Sequence, residues 1–359
     1  MRFHLLGLAH LPSRKDIQPC AYTCKVVRLA DMLRRHGHEV TFYGVESSEI
    51  NAQESVTVST LDLLRKVYGD YDWKKDFFKH DPKDEAHQTF NKNAIEEIKK
   101  RKKPRDILLC PMGNYQKPIA DNCGVDMVVE SGIGYEGIFC KHRVFESYAW
   151  MHFLYGKINQ KDGGMYDAVI PNAYHPSEFP LCTEKEDYLL YIGRLIDRKG
   201  VRVAIDTAKR TGLRLIIAGQ GDLGHFLKPD EAKNSKIEHV GTVLGEEKIK
   251  LFQHAKAVMV PTYYIGPFEG VAVESMMCGT AVISTDWGVF SETVENGVSG
   301  YRCRTLSEFV QATIDVEKLD PKIIHERAVR LYSTDTVSDM YHRYFHRLYD
   351  LFTDGWYTV

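Results

Sequence analysis

Short apolar runs alternate with amphipathic segments along the first half of the chain. Apolar residues at spacings of three and four predict a helix from Ala21 to Arg35, which Gly37 ends. Strands are predicted at 2–9, 38–45, 106–112, 127–130 and 168–171. Since apolar strands separated by helices are typical of a parallel sheet buried on both faces, we expect an α/β domain here.

The segment from Ser47 to Lys103 breaks this pattern. It is polar, aromatic and charged, and it shows no clean helical or strand period. We therefore expect an irregular excursion there.

A second alternating series begins at Tyr188, after a linker-like segment over 172–187. It predicts strands at 188–193, 214–218, 238–240, 257–261 and 281–285, and helices at 201–210, 246–255 and 271–278. The tail from Thr336 to Tyr349 carries apolar residues three and four apart and predicts a long amphipathic helix that must pack on something. The series predict two α/β domains with a cleft between them.

Length and charge agree with two soluble cores. The chain has 359 residues, and 47 Lys and Arg against 49 Asp and Glu give a formal net charge of −2, so nothing global draws it to nucleic acid or an anionic membrane. No apolar run approaches the roughly 20 residues of a membrane span. We therefore expect no transmembrane segment. The 8 Cys form no Cys-x-x-Cys, and the amino terminus lacks the features of a secretion signal, so we expect reduced thiols and a cytoplasmic protein.

Two glycine patterns raise a nicotinamide-dependent oxidoreductase as an alternative. Gly-x-Gly-x-x-Gly occurs at 132–137 and at 219–224, each after a predicted strand. A dinucleotide site also needs an acidic residue at the end of the next strand, and Glu238 opens its strand instead. The pattern is only half met, which disfavours this function.

Three other patterns are better explained by solvated surface. Asp70-Tyr71-Asp72 has the spacing of a divalent-metal motif but follows no apolar strand, and His342 and His346 lack the Glu of a zinc-hydrolase motif. We predict no metal site. The run from Lys99 to Arg105 has 6 basic residues in 7 positions; a solvated helix end is favoured, and a polyanion-binding patch stays open.

The strongest chemical signal follows the strand at 188–193. Arg194 and Lys199 stand around the start of the next predicted helix, where a guanidinium, an ammonium and backbone N–H groups can neutralise a diphosphate. A second Gly- and Pro-rich loop from Pro261 opens the helix at 271–278, and Glu274 in that helix could accept hydrogen bonds from a ribose diol.

Together these two elements resemble the donor-binding domain of GT-B glycosyltransferases of the large retaining family 4. The likeness in residue type and order runs from about Tyr188 to Cys303. It implies a GT-B fold: two Rossmann-like parallel-sheet domains facing across a cleft, and a C-terminal helix that crosses back to the first. The implied domains are an acceptor-binding domain at 1–175 with the crossing helix at 336–359, and a nucleotide-sugar donor domain at 185–335.

The resemblance also implies site residues. Arg194 and Lys199 would hold the diphosphate, Glu274 would bind the ribose, and the segment around Val243 would meet the base. The family places a further Glu at 266, where this chain has Gly266, and usually Gly where it has Glu269. The donor-binding set is therefore Gly193, Arg194, Lys199, Val243, Gly266, Phe268, Glu269, Gly270, Val271 and Glu274, with Glu130 and Glu269 as candidate catalytic groups near the sugar.

The function implied is transfer of a hexosyl or pentosyl group from a UDP- or GDP-type sugar to a hydroxyl, with retention, without a metal and with no cofactor besides the donor. The acceptor could be a glycan, a small molecule or a hydroxymethylated base in DNA. A donor-binding protein with impaired catalysis is an alternative, because Gly266 replaces the motif Glu.

Overall fold

The computed structural model describes residues 1–17, 20–70, 76, 78–228, 230–231 and 235–352. The chain divides into two compact units. Unit 1 comprises residues 1–146, 151–173 and the described residues from 334 onward, and unit 2 comprises 147–150 and 174–333. The carboxy-terminal helix thus belongs to the unit that the amino-terminal sequence builds.

Unit 1 is built on a seven-stranded parallel sheet with the order β3-β2-β1-β4-β5-β6-β7. Its strands are β1 (Arg2–Leu6), β2 (Glu39–Val45), β3 (Glu54–Ser59), β4 (Ile107–Leu109), β5 (Met127–Ile133), β6 (His142–Phe145) and β7 (Asp167–Val169). Helices in this part of the chain are α1 (Ala21–Arg35), α2 (Leu61–Tyr68), α3 (Glu85–Arg101), α4 (Lys117–Asn122) and α5 (Tyr148–Lys157). The parallel α/β class and the bounds of α1 are confirmed.

The expectation of an irregular excursion over Ser47–Lys103 is wrong. The segment holds β3, which pairs with β2 at the edge of the sheet, and the helices α2 and α3. α3 buries Ala86, Phe90, Ala94 and Ile98, spaced by four. Two of these four contacts are alanines, so the apolar face carries little hydrophobic signal although it packs fully. The strand β6 was also missed, because two of its four residues, His142 and Arg143, are polar and weaken the apolar pattern.

The predicted amphipathic tail is α12 (Thr334–Asp350), and it packs within unit 1. Its apolar face buries Val337, Tyr341, Tyr344, Phe345 and Leu348. The Phe345 ring meets the Phe3 ring edge-on at 4.8 Å between centroids, and the Ser338 hydroxyl donates to the Met32 carbonyl at 3.2 Å. This helix therefore covers one face of the unit 1 core.

Unit 2 is built on a six-stranded parallel sheet with the order β10-β9-β8-β11-β12-β13. The strands are β8 (Tyr188–Ile192), β9 (Arg214–Ala218), β10 (Ile237–Gly241), β11 (Ala257–Val260), β12 (Val282–Thr285) and β13 (Gly300–Cys303). The helices are α6 (Val201–Thr211), α7 (Gly245–His254), α8 (Gly270–Met277), α9 (Phe290–Thr293), α10 (Leu306–Asp315) and α11 (Pro321–Tyr332). Since β8 and β11 are neighbours, the loops that leave their carboxyl ends lie side by side.

Two further sequence expectations concern the cysteines and membrane-spanning helices. All 8 Cys are free thiols, as their scattered spacing predicts. Among the described residues, no helix combines the length and apolar character that a bilayer crossing requires.

Candidate functional site

Two strand-to-helix loops of unit 2 are joined by backbone contacts. The first leads from β8 through a 3-10 turn (Asp197–Lys199) into α6, and the second leads from β11 to α8. The Tyr263 N–H donates to the Arg198 carbonyl at 2.8 Å. Gly200 has φ +73°, and a Cβ there would collide with the Pro261 carbonyl. A glycine at 200 therefore lets the loops that carry Lys199 and Glu269 approach each other.

Lys199 forms an ion pair with Glu269 across these two loops. Its ammonium lies 2.7 Å from Oε1 and 2.6 Å from Oε2 of Glu269, and the two side chains are 16% and 7% exposed. The Tyr264 ring lies on the Lys199 ammonium, 5.0 Å from the ring centroid. The structure thus brings together two residues that the sequence analysis assigned to the donor site, and the two residues bind each other.

Glu269 adopts an unusual backbone conformation. It is the residue before α8, with φ 57° and ψ 64°, in the left-handed region that a residue with a Cβ rarely adopts. Such a conformation costs on the order of 1–3 kcal/mol and persists where surrounding contacts hold it. Its carboxylate folds back over Gly266: a Cβ built on Gly266 would collide with Glu269 Oε1. The Glu269 carboxylate therefore lies directly against residue 266, in space that a side chain there would need.

Glu274 lies one turn into α8 and is also held by a lysine. Its Oε2 lies 2.7 Å from the Lys248 ammonium of α7, and the two side chains are 15% and 18% exposed. Sequence reasoning missed Lys248. Its pairing with Glu274 depends on how α7 and α8 pack, and no residue spacing along the chain indicates this packing. Both predicted donor-site carboxylates of unit 2 are therefore lysine-paired.

Arg194 follows β8 with its side chain exposed. Its carbonyl accepts a hydrogen bond from the Tyr191 hydroxyl at 3.0 Å, which fixes the backbone of the loop. Beside it, the Gly193 N–H donates to the Ala218 carbonyl at 2.9 Å, and a Cβ on Gly219 would collide with the Gly193 carbonyl. This glycine of the second Gly-x-Gly-x-x-Gly pattern is therefore required by packing against the Arg194 loop.

Most of the remaining predicted donor-site residues in unit 2 are buried or tightly packed against neighbouring side chains. Phe268 is 3% exposed and stacks near Tyr174, with ring centroids 6.4 Å apart. A Cβ on Gly270 would meet the Tyr174 hydroxyl at 2.5 Å, so this close approach needs glycine. Val243 is buried and Val271 half-buried. Phe268 and Val243 can offer a ligand little except their backbones.

Glu130, the predicted catalytic carboxylate of unit 1, is fully buried at 0% exposure. Its Oε2 accepts the N–H groups of Phe139 at 2.9 Å and Cys140 at 2.8 Å, and Tyr135 donates its hydroxyl to Oε1 at 3.2 Å. Burial raises the pKa of the Glu130 carboxyl, while these hydrogen bonds oppose the rise. The carboxyl anchors the loop after β5, and the structure does not favour the predicted contact with a sugar.

A second buried acidic group of unit 1 was missed by the sequence analysis. Glu146 follows β6 and pairs with the Lys25 ammonium of α1, and the Asn172 amide donates to its other oxygen at 3.0 Å. Lys25 also donates to the Gly132 carbonyl at 2.9 Å. Lys25 and Gly132 stand 107 residues apart, so only the sheet order brings them together.

The dinucleotide alternative loses its structural context. Gly219 and Gly221 end β9, but the chain continues into a 3-10 turn (Leu223–His225) where the fingerprint requires an α-helix. Glu238 is on β10 and pairs with Arg214 at 2.7 Å on the surface. The first glycine set lies at the end of β5 and leads to β6.

The surface patterns have mixed outcomes. Asp72 of the acidic triplet lies outside the described residues, and no cluster of three or more His, Cys, Asp or Glu side chains in the described part of the chain could hold a metal ion. In the basic run, Arg101 pairs with Glu54 at 2.8 Å and Lys102 donates to the Gly124 carbonyl. Arg101 and Lys102 therefore make contacts within unit 1.

His342 is more than part of a solvated helix face. Its ring stacks on His36 at 4.1 Å between centroids, and its Nδ1 lies 3.2 Å from Nε2 of His38. Burial, the nearby amino terminus and the other histidines lower the pKa of His38 to about 4. The expectation of a purely solvated face for His342 is wrong, because α12 lays this residue against the turn between α1 and β2.

Residues 186–318 match the family model described as glycosyl transferases group 1. An uncharacterized glycosyltransferase of Methanocaldococcus jannaschii is 32% identical over 154 residues, covering 37% of this chain and 39% of the relative. A glycogen synthase of Mycobacterium tuberculosis is 32% identical over 178 residues, covering 45% and 42%. The chain thus spans less than half the length of these curated relatives.

Solved structures resemble the whole chain. A glycosyltransferase involved in avilamycin A biosynthesis superposes with a TM-score of 0.69 at 19% identity, covering 97% of this chain and 98% of that one. Anabaena HepE, in complex with UDP-glucose, gives 0.66 at 13% identity, covering 97% and 100%. At such identities the likeness shows the fold alone. The chain therefore has the GT-B fold, and its residues 186–318 resemble the glycosyl transferases group 1 family.

Proposed function

We propose that this protein is a glycosyltransferase that moves a sugar from a nucleotide-diphosphate sugar to a hydroxyl acceptor. The observation that carries the proposal is the unit 2 loop pair, where Arg194, Lys199 and the start of α8 follow the neighbouring strands β8 and β11. A guanidinium, an ammonium and helix N-terminal amides are the groups that stabilise a departing diphosphate.

Each group has a distinct task in this proposal. Arg194, which is exposed, presents a planar guanidinium that suits two phosphate oxygens. Glu274 accepts hydrogen bonds from the ribose diol while Lys248 fixes its orientation at 2.7 Å. Glu269 occupies the space above Gly266, which is why we propose a catalytic carboxylate at 269 although 266 is glycine.

In the reaction, the bond between the anomeric carbon and the diphosphate oxygen breaks, and a bond to the acceptor oxygen forms. The electron pair of the broken bond stays on the diphosphate, and the proton of the acceptor hydroxyl passes to the leaving diphosphate or to solvent water. Because negative charge accumulates on the leaving diphosphate, the cations of unit 2 supply the main electrostatic stabilisation.

A UDP-type donor is supported by the HepE complex with UDP-glucose, whose fold this chain shares. Retention, metal independence and the absence of a cofactor rest on the resemblance to family 4. The anomeric configuration of the product by NMR tests retention, and transfer in the presence of EDTA tests metal independence.

The deciding experiment is a panel of UDP- and GDP-sugars scored by thermal shift and by donor hydrolysis. The matched donor should raise Tm, since a ligand bound only to the folded state stabilises it. Arg194→Ala should weaken donor binding by roughly 10- to 100-fold, because a hydrogen bond to a charged group contributes about 1.5–3 kcal/mol. Arg210→Ala, an exposed arginine at the end of α6, is the matched control. Equal affinity in Arg194→Ala would refute the diphosphate assignment.

The ion pair of Glu269 also supports one alternative function, donor binding without transfer. If the Glu269 carboxylate, paired with Lys199, does not contact the donor sugar, the protein binds the donor without transferring the sugar. Donor binding with neither transfer nor slow hydrolysis across many acceptors would favour that alternative. A modified DNA base as acceptor predicts acceptor binding that collapses with salt.

A further inference from the structure

Lys199 and Glu269 form an ion pair at the proposed diphosphate site. Two of the three ammonium donors of Lys199 are directed to the two carboxylate oxygens, at 2.7 and 2.6 Å. The Tyr264 ring lies 5.0 Å from the same ammonium. A diphosphate that reaches Lys199 therefore meets an ammonium whose charge is already balanced by a carboxylate.

The local sequence builds this position for the carboxylate. Glu269 is the one residue other than glycine with a positive φ in the described part of unit 2. Its side chain fills the space above Gly266, where a Cβ would collide with Oε1. A residue with a side chain at 266 would therefore drive the carboxylate off Lys199. The left-handed backbone at 269 and the glycine at 266 both hold the Glu269 carboxylate against the Lys199 ammonium.

The charge of the two ligands differs across the proposed reaction. A nucleotide-diphosphate sugar is a diphosphate diester with two negative charges. The free nucleoside diphosphate has a terminal phosphate with a second pKa of about 6, so it carries a further negative charge at pH 7. A fixed carboxylate beside the diphosphate site repels the product more than the donor.

We propose that Glu269 is an internal counter-ion that competes with the diphosphate for Lys199, so that it weakens binding of the free nucleoside diphosphate and speeds product release. The inference rests on the proposed function, because it takes Lys199 as a diphosphate contact. It assigns Glu269 a specific effect, discrimination against product, that the donor-binding assignment by itself does not contain.

The test is the affinity for UDP and UDP-glucose by titration calorimetry, in the full chain and in Glu269→Gln. The amide keeps the size of the side chain and removes its charge. We expect UDP to bind about 5- to 30-fold tighter in the variant, and UDP-glucose to gain less, since screened repulsion at this range is worth about 1–2 kcal/mol. The gain in UDP affinity should shrink at high salt.

Glu326→Gln is the control for net charge, because it removes the same charge from an exposed carboxylate on α11, outside the two loops. It should not tighten UDP binding. Glu269→Gly, which suits the left-handed backbone, should reproduce the tighter binding and guards against misfolding of the Gln variant.

The outcomes separate the inference from the function on which it rests. Binding by the wild-type chain with equal or weaker UDP affinity in both Glu269 variants overturns the inference alone. Equal tightening in Glu326→Gln also overturns it, because net charge would then explain the gain. No binding of UDP, GDP or their sugars by any of these proteins overturns the proposed function together with the inference.

Discussion

The two units each bury a predicted catalytic carboxylate, and they satisfy it in different ways. In unit 1, Glu130 is fully buried and accepts two backbone N–H groups and a tyrosine hydroxyl. In unit 2, Glu269 is 7% exposed and faces the Lys199 ammonium. Backbone N–H groups cannot move away from Glu130 without unfolding a loop, whereas a lysine side chain can exchange one anion for another.

The difference separates a structural carboxylate from one suited to ligand exchange. A buried carboxylate that ties loop amides contributes to the fold of its unit. A carboxylate paired with a flexible ammonium is poised to release it to a diphosphate. Sequence alone presents both residues as a Glu near the end of a strand or the start of a helix.

The largest effect is expected from Lys199→Met. Removing one partner of a mostly buried ion pair leaves an uncompensated charge and costs about 3–5 kcal/mol. The Lys199 and Glu269 side chains are 16% and 7% exposed, so this cost applies to unit 2. Urea unfolding with a probe in unit 2 measures it. Lys199→Met/Glu269→Gln should recover most of the stability, and a double variant as unstable as the single would show that the pair is not what holds these loops.

Glu130→Ala should destabilise unit 1 by about 2–4 kcal/mol, because the Phe139 and Cys140 N–H groups lose a charged acceptor. Glu130→Gln keeps an acceptor oxygen and should retain both the fold and, within a few-fold, the rate of transfer. Thermal unfolding and kcat measure the two effects. Loss of transfer in a stably folded Glu130→Gln would restore Glu130 as a catalytic group and remove the contrast between the units.

Gly266→Ala should lower stability by about 1–3 kcal/mol, because its Cβ overlaps the Glu269 carboxylate and the pair must shift. In a Glu269→Gly background the same substitution should be nearly neutral, since the carboxylate is gone and glycine accepts a φ of 57°. A double-mutant cycle of unfolding free energies measures the coupling. Additive effects would show that Glu269 does not fill the space above Gly266.

Acid should destabilise unit 1 through His38. The ordinary pKa is 6.5, and burial beside the amino terminus and three other histidines lowers it to about 4 in the folded protein. Between these values the unfolded chain binds more protons, so stability falls as the pH falls from 6.5 to about 4. We expect a loss of roughly 5 °C in Tm over this window.

Hydrogen exchange of α12 and β2 peptides locates this loss. His38→Asn should flatten the pH dependence, whereas His225→Asn, on the surface of unit 2, should leave it unchanged. An unaltered pH profile in His38→Asn would assign the acid sensitivity to other groups, such as His10, whose pKa burial and neighbouring histidines lower to about 3.

Sequence patterns located most of the sheet and the loops of unit 2. The helix at 21–35 and the strand at 214–218 have the predicted bounds, because their apolar residues follow the period that burial requires. α3 was missed because alanines supply half of its four-residue-spaced buried positions. The edge strand β3 and the strands β6 and β13 were missed because polar residues or glycine fill half or more of their positions.

The candidate site was predictable to the level of residue types. Arg194, Lys199 and Glu274 were identified because they follow strands or start helices, and such positions are set by local sequence. Lys248 was missed, and Glu130 was given a role that its surroundings do not favour. The role of Glu130 stays a prediction. Both cases concern partners that packing supplies, such as the Cys140 N–H of Glu130.

The sequence by itself determined the class of the fold, most of its strands, and the loops that carry charge. Only the tertiary structure decided which charges meet. Glu269 reaches Lys199 across 70 residues because β8 and β11 are neighbours in the sheet, and Glu274 meets Lys248 because α7 and α8 pack together. Periodicity reports how one segment faces a core, and it holds no information about which segment lies opposite.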